Sequence, residues 1–538
     1  MPHGFTIFDF IILGIFFLAV LYIGYKYSND KKGIAEHFLA GKKISWLLIG
    51  PSLFITTVSS EHVIGFPDSG YIQGFTAGNF AWGACLTTLL LAWFFVPFYF
   101  KNNLFTTPEY IERRFSRRAR WIISGLSIIV YIITKVSVTL FAGALFLEAL
   151  LGWDKYTSSL ILVVITGIIT LAGGFKGEIH SHFFHCFILI FCSTIVLITG
   201  IYEIGGLSEL KNVPESYFQV FKSKDHPVYP WTGMLLGAPI LQIWYWCTDQ
   251  YMLQRVLSGK DITNARRGAI FAGYLMLLPS FILLVPGLLA YVKFGPGVVD
   301  GKTYFSLVTQ LLPTGVKALA VAAVLSALIS SLAASFNSAS TLYSLDIYTK
   351  LYPKADEFKI VNIGKISTIV LVNLAIVWVS FIGYFSEDII RNLQTVQSYV
   401  APPYTAIFLV GMLWSRANNK AAMSVLLVGG IFFLCRITLD MYKDSFEQGG
   451  IMDTILELNF LYQAFFLFGF YVLLMIVVSL LTEKPDESQI LGLTYKYRNS
   501  GNVIQLQEDL NVKRKDINLS ILLALILFSI WGFLMYLA

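Results

Sequence analysis

The sequence predicts an all-α polytopic membrane protein of about 14 transmembrane helices. Mean hydropathy is +0.68. Of the 538 residues 56% are hydrophobic and only 13% charged, and long apolar runs recur from end to end. Soluble chains carry about 25% charged residues, and half that fraction cannot cover a water-exposed surface of this size. Aromatic residues reach 15%, including 44 Phe and 28 Tyr, which suits lipid-facing helices and interfacial belts. The formal net charge of +6 implies no nucleic-acid partner, because the basic residues sit between apolar runs. Cys85, Cys186, Cys192, Cys247 and Cys435 all lie in apolar stretches, which argues against disulfides and against a CxxC metal site. No phosphate loop, nucleophile–base pair or zinc spacing occurs, so no enzyme is expected.

Crossing the hydrocarbon takes about 20 apolar residues. Such runs fall at 7–26, 46–75, 78–100, 120–150, 156–173, 180–203, 230–255, 268–292, 314–346, 361–383, 388–414, 421–440, 458–481 and 518–537. The first run has almost no preceding positive charge and no small-residue cleavage site, so it reads as a retained span. The longest polar stretch, 482–517, mixes Glu483, Lys484, Asp486, Lys496, Arg498, Lys513, Arg514 and Lys515 and reads as a loop.

Basic residues concentrate in alternate loops. Lys26, Lys31, Lys32, Lys42 and Lys43 follow the first span, and Arg113, Arg114, Arg117, Arg118 and Arg120 follow the third. Arg255, Lys260, Arg266, Arg267, Lys350, Lys354 and Lys359 follow the seventh and ninth, whereas 72–79 and 151–155 are nearly uncharged. The positive-inside rule makes the basic loops cytoplasmic and puts both termini outside the cell membrane.

Two spans differ from ordinary lipid-facing helices. The second carries Thr56, Thr57, Ser59, Ser60, Glu61 and His62 near its middle, then Gly65, Pro67 and Gly70. The seventh carries Gly237, Pro239, Gln242, Thr248, Asp249 and Gln250. Ionisable groups at that depth face a cavity, and interrupted helices free carbonyls that need a partner such as an ion. The two spans lie five apart, and a five-helix unit repeated once is inverted, because five is odd. Paired interruptions at matching places in inverted halves mark a transporter's midplane site, with the breaks expected within 55–65 and 237–247. This divides the chain into 1–45 (a peripheral span and loop), 46–203 (first repeat), 204–229 (an extracellular loop), 230–414 (second repeat) and 415–538 (three peripheral spans).

Several stretches look alike in one known family: HFLAGKKISWLLIGPSLF (37–54), TTPEYIERRF (106–115), ITKVS (133–137), WYWCTDQ (244–250), SSLAASFNSASTLYSLDIY (330–348) and APPYTAIFLVGMLW (401–414). TLAGGFKG (170–177) and GMLWSRANNKAA (411–422) are similar to its two signatures, each off by about one residue. The chain resembles the sodium:solute symporter family along nearly its whole length, and within it the sodium/glucose cotransporters. The resemblance implies a leucine-transporter-like 5+5 inverted-repeat core with discontinuous helices, Na⁺ as the co-transported ion and no organic cofactor.

On the ninth span Ala327, Ser330 and Ser331 lie at i, i+3 and i+4, one face of a helix. The family's sodium site resembles this set, completed by carbonyls of Ile55 and Val58. Members that bind a second sodium resemble each other in an Asp of the sixth span and a hydroxyl two residues beyond the paired serines. Those positions read His182 and Ala333 here, which implies one sodium per cycle. By family position the solute would meet His62, Gln242, Tyr245, Trp246 and Gln394. Phe66, Phe80 and Ile390 fall at an outer gate and Tyr245 at the inner one, while Trp244 reads as core packing. Two sugar-gripping positions, a Glu and a Lys in the family, are Ala81 and Met276, and an Asn before the ion carbonyl is Thr57. Losing the acid and the base together leaves no uncompensated buried charge. Asn79, Thr57 or Gln242 are then expected to replace the lost contacts for a differently arranged hydroxyl set.

His180, His182 and His185 invite a metal reading, but on a helix His180 lies about 200° from His182, so the three do not share a face. His182 is instead expected to tune ion release. Glu61 and Asp249 read as a packing or gating network, and Lys135 and Arg436 as structural. The expected function is sodium-coupled import of a small neutral solute, a sugar or polyol, with 1:1 stoichiometry. An organic anion or amino acid is the alternative and calls for a cationic pocket group; a sugar sensor of the same fold, binding without accumulation, is the third. The partners are that solute and the lipid bilayer.

Overall fold

The computed structural model describes residues 6–27, 33–298, 303–382, 389–441, 450, 456–500 and 509–538; the side chains at 60–61, 149–151, 381–382, 389–393 and 440–441 lie outside that description. Helices account for nearly all of it, and no sheet forms among the described residues, as expected where no water is present to satisfy an open strand edge. The helices around the site are α1 (Ile7–Tyr27), α2 (Trp46–Thr57), α3 (Ser60–Gln73), α4 (Gly78–Leu90), α5 (Arg117–Val130), α6 (Ser137–Leu151), α7 (Lys155–Glu203), α8 (Ala238–Ile243), α9 (Gln250–Leu257), α10 (Ile262–Leu275), α11 (Val316–Thr341), α12 (Glu357–Ile382) and α13 (Ile389–Leu413). Three more, α14 (Asn419–Met441), α15 (Phe460–Leu481) and α16 (Leu510–Leu537), complete the chain.

Among the described residues, 11 helices are long and apolar enough to span a membrane. The expectation of fourteen counts α7 twice and joins the pieces on either side of each interruption. At 49 residues α7 would run about 74 Å if straight, more than twice the hydrocarbon thickness. It bends at Gly174 (φ 52°, ψ −166°), between the expected runs 156–173 and 180–203. Asp154 starts it by accepting the Thr157 N–H at 3.0 Å, satisfying one of the amides that a helix start leaves unpaired.

Both anomalous spans are interrupted. α2 stops at Thr57, Val58 (φ −77°, ψ 71°) and Ser59 (φ −79°, ψ −174°) leave the helical region, and α3 begins at Ser60. In the seventh span α8 runs into a π-helical turn at Trp244–Thr248, Asp249 is extended (φ −76°, ψ 129°), and α9 follows. The helix is thus interrupted within the expected 237–247 stretch, with a preceding helix ending at Leu236 and α8 at Ile243, and the extended residue lies two positions beyond it. Gly237 also serves packing: a Cβ there would sit 2.0 Å from the Leu461 carbonyl oxygen, so that glycine lets α15 approach. Pro239 occupies the first turn of α8, where a missing N–H costs nothing. The helix is ended by Asp249, whose carboxylate accepts the Tyr251 N–H at 3.2 Å and caps α9.

The interrupted spans run in opposite directions. Before α2, the Ile44 N–H donates to the Ser258 carbonyl (3.2 Å) and the Ile44 carbonyl accepts from Lys260 N–H (2.9 Å). At the other end of α2, the Thr56 carbonyl accepts from the hydroxyl of Tyr251, the second residue of α9, at 3.4 Å, and the Arg255 side chain reaches back along α9 to donate to Thr56 Oγ1 at 3.0 Å. The start of α2 thus meets the end of α9 and its end meets the start of α9, an antiparallel pair. α11 is buried along nearly its whole length and lies against α7, which also packs on α1, α2 and α12.

Away from the breaks a polar knot joins α5 to the π-helical turn Leu342–Tyr348 that continues α11. Asp346, fully buried, accepts from Arg120 Nε (2.9 Å), Thr106 Oγ1 (2.6 Å) and Ser124 Oγ (3.0 Å). Glu112 pairs with Arg120 and, at 2.9 Å, with Lys350. Removing one partner of a buried pair leaves the other uncompensated, so Asp346→Ala should destabilise the protein by about 3–5 kcal/mol, read as a lowered melting temperature in detergent. Packing is equally exacting where α3 meets the helix Val285–Phe294. A Cβ on Gly287 would lie 2.0 Å from the Pro67 carbonyl oxygen, whereas one on Gly65 meets nothing within 4 Å. Gly287→Ala should cost about 1–3 kcal/mol through overpacking, and Gly65→Ala should leave the melting temperature where it is or raise it.

Candidate ion and solute site

The break after Thr57 withdraws two carbonyls from the helix. Four residues beyond Ile55, the Ser59 N–H donates to Thr57 O (2.8 Å); four beyond Val58, the His62 N–H donates to Ser59 O (3.0 Å). Neither donor serves the carbonyl it would cap in a continuous helix. Across from this end, Ala327, Ser330 and Ser331 are buried on α11. The Tyr251 hydroxyl lies 3.4 Å from both the Thr56 and the Ser331 carbonyl oxygens, so α2 and the serine turn of α11 stand within two hydrogen-bond lengths of each other. The Ser331 hydroxyl is buried without a hydrogen-bond partner, a state that costs about 1–3 kcal/mol. Unwound carbonyls beside a free hydroxyl suit a small hard cation such as Na⁺.

Behind these walls lies α7. His182 Nδ1 is 2.9 Å from Ser52 Oγ of α2, and His185 Nδ1 is 2.7 Å from Ser330 Oγ of α11. Glu178, one turn before His182, pairs with Arg255 at 2.5 Å and accepts from Asn337 Nδ2. His180 faces elsewhere: its ring stacks on Tyr27 with centroids 3.8 Å apart. His182 presents an imidazole and Ala333 a methyl, neither an oxygen ligand.

The solute candidates divide into two groups. His62, in the first turn of α3, has a buried Nδ1 without a partner and a ring 4.8 Å from Phe66. Tyr245 lies in the π-helical turn before Asp249, edge-on to buried Trp246 at 5.9 Å. These side chains stand on the two breaks. By contrast, Gln242 is engaged at both ends, accepting from Thr87 Oγ1 (2.8 Å) and donating to the Phe80 carbonyl (3.0 Å). Asn79 donates to the Val220 carbonyl in the loop 204–229, leaving only its Oδ1 without a partner. Gln394 lies within reach of the Tyr229 hydroxyl at the end of that loop. Thr57 donates back to Leu53 O at 3.0 Å. The side chains of Glu61 and Ile390 lie outside the described residues. Ala81 and Met276 are both buried apolar groups.

Several residues at the centre escaped the sequence reading or were given a structural part in it. A π-helical turn at Tyr131–Val136 interrupts the fourth span, a feature that often marks function. Its Tyr131 donates to the Asp249 carboxylate and accepts the Tyr251 N–H (3.1 Å). Lys135, one turn on, places its ammonium 4.1 Å from the Tyr245 ring centroid and 4.9 Å from that of Tyr251, within electrostatic reach of Asp249 and His62. The available signal was a Lys and an Asp, each alone in an apolar run. Arg436 is structural: it donates to Tyr399 Oη (2.6 Å) and the Leu456 carbonyl (2.9 Å).

Comparison with known proteins agrees with this architecture. The family model of the sodium:solute symporter family matches residues 37–429. Sodium/glucose cotransporter 1 of Oryctolagus cuniculus is 31% identical, the match covering 91% of this chain and 81% of that protein. The sodium/myo-inositol cotransporter of Bos taurus is likewise 31% identical, over 91% and 76%. Among solved structures, a Na⁺-coupled sialic acid symporter in a substrate-bound outward-open state superposes with a TM-score of 0.78 at 21% identity, covering 90% of this chain and 100% of that one. A nucleobase-cation-symport-1 family transporter in a closed conformation follows at 0.54 and 12%, over 86% and 98%. These two share the fold. With most of the chain matched by one family model and relatives above 30% identity at nearly full length, this chain belongs to the sodium:solute symporter family.

Proposed function

We propose that the protein imports a small neutral polyhydroxyl solute, a sugar or polyol, together with one Na⁺ per cycle by alternating access. The observation that carries this reading is the antiparallel pair of interrupted helices, with the carbonyls of Ile55 and Val58 released opposite Ala327, Ser330 and Ser331. The names of the relatives, sodium/glucose and sodium/myo-inositol cotransporters, support the solute class. The solute meets His62, Tyr245, Trp246 and Gln394, with Tyr245 as the inner gate and Phe66, Phe80 and Ile390 as the outer one; Asn79 and Gln242 hold the surrounding elements and offer what capacity remains. The repeats span 46–203 and 230–414, flanked by peripheral segments 1–45 and 415–538, and both termini face outside.

One ion suffices. A single charge crossing 100 mV releases about 2.3 kcal/mol and a tenfold gradient about 1.4 kcal/mol more. Their sum supports accumulation of a neutral solute by several hundredfold. A carboxylate-bearing solute is the second reading, favoured by the Lys135 ammonium beside Tyr245. The Asp249 carboxylate within reach of that ammonium favours the neutral one.

Uptake into proteoliposomes with hexoses, polyols, amino sugars and carboxylates, with and without a Na⁺ gradient, tests the proposal. Sodium-dependent accumulation of a neutral sugar or polyol is the expected outcome; accumulation of carboxylates alone selects the second reading, and binding without accumulation identifies a sensor. Replacing Ser330 and Ser331 together by Ala should abolish the sodium response, and a response left intact would place the ion elsewhere.

A further inference from the structure

Ser330 departs from ordinary mid-helix serine behaviour. Such a hydroxyl commonly donates to the carbonyl four residues back, as Ser335 does to Ser331 at 2.9 Å. Ser330 Oγ instead lies 2.7 Å from His185 Nδ1, across the interface with α7. The direction of this bond matters for an ion. A hydroxyl that donates to the imidazole turns its proton outward and leaves both oxygen lone pairs for a cation; donated inward, the same proton would face the positive charge. The imidazole is fixed in an apolar bed, its ring centroid 6.1 Å from Phe16 of α1 and 6.1 Å from the adjacent Phe184. One turn earlier on the same face, His182 holds Ser52 of α2, three residues before Ile55. A single helix thereby grips both walls of the ion site, one imidazole to each.

We infer that His185 is a positioning residue for the transported cation: it orients the Ser330 hydroxyl so that the oxygen faces Na⁺. The inference rests on the ion site proposed above. Hydrogen-bond partners that orient a metal ligand typically contribute 10–100-fold to affinity.

The test uses purified full-length protein and Na⁺ as the only probe, with choline holding ionic strength constant. Apparent affinity is read from the Na⁺-dependent rise in melting temperature. His185→Phe keeps the ring in its aromatic bed and removes the acceptor, and should raise the half-saturating Na⁺ concentration about tenfold or more. His185→Asn, whose side-chain oxygen can take the place of Nδ1, should recover most of the loss. In a Ser330→Ala background His185→Phe should change nothing further, because the hydroxyl it orients is gone. Three results would overturn the inference: no shift with Phe, equal shifts with Phe and Asn, or the same shift with and without Ser330. Should His185→Phe not insert, His185→Leu carries the same comparison against Asn. Serine variants that lose the Na⁺ response while His185 variants keep it would refute the orienting role alone; serine variants that keep it would refute the ion site itself.

Discussion

A backbone carbonyl inside a bilayer has no water to turn to, so each place where a helix is broken must supply another partner. This chain breaks two helices at mid-span and sets the broken ends together, antiparallel. The arrangement around them follows from that requirement. Asp249 caps the restarting helix and is held by Tyr131; Tyr251 bridges the carbonyls of Thr56 and Ser331. The carbonyls of Ile55 and Val58 are those whose helical donors are committed elsewhere, and on α11, which the Tyr251 hydroxyl links to the end of α2, Ser331 keeps an unpartnered hydroxyl. A binding site for a desolvated alkali ion is in this sense a deliberate deficit of donors.

Buried charges are arranged in compensated groups around the deficit. Glu178 meets Arg255, Asp346 meets Arg120, and Lys135 lies over two tyrosine rings within reach of Asp249. An uncompensated charge at these depths would be costly, whereas a compensated one fixes a particular packing of neighbouring helices. Glu178–Arg255 links α7 to α9 and Arg120–Asp346 links α5 to the continuation of α11. Both ties therefore join an element before the loop 204–229 to one after it.

Much of this was legible in the chain. Hydrophobic length locates spans because the hydrocarbon core has a fixed thickness, and the polar residues in the second span marked its interruption within the stretch where it occurs. Periodicity separated His180 from His182 and His185, and His180 does face away from the other two. The second break was expected within 237–247, and helices do end at Leu236 and Ile243; composition did not show that Gly237 also admits a neighbouring helix. Asp249 read as part of a packing or gating network and Lys135 as structural, because a charge partner three spans away leaves no local trace.

The amino-acid sequence by itself determined the membrane environment, the helical class and the depth of the polar interruptions, since these depend on local composition and on the thickness of the bilayer. Tertiary structure alone decided which polar groups remain available. Gln242 is engaged by Thr87 and Phe80, 155 and 162 residues away in sequence, and Asn79 by Val220, whereas Ser331 is left open. A hydrogen bond is satisfied by proximity and direction, and for residues so far apart both arise only from how the helices pack.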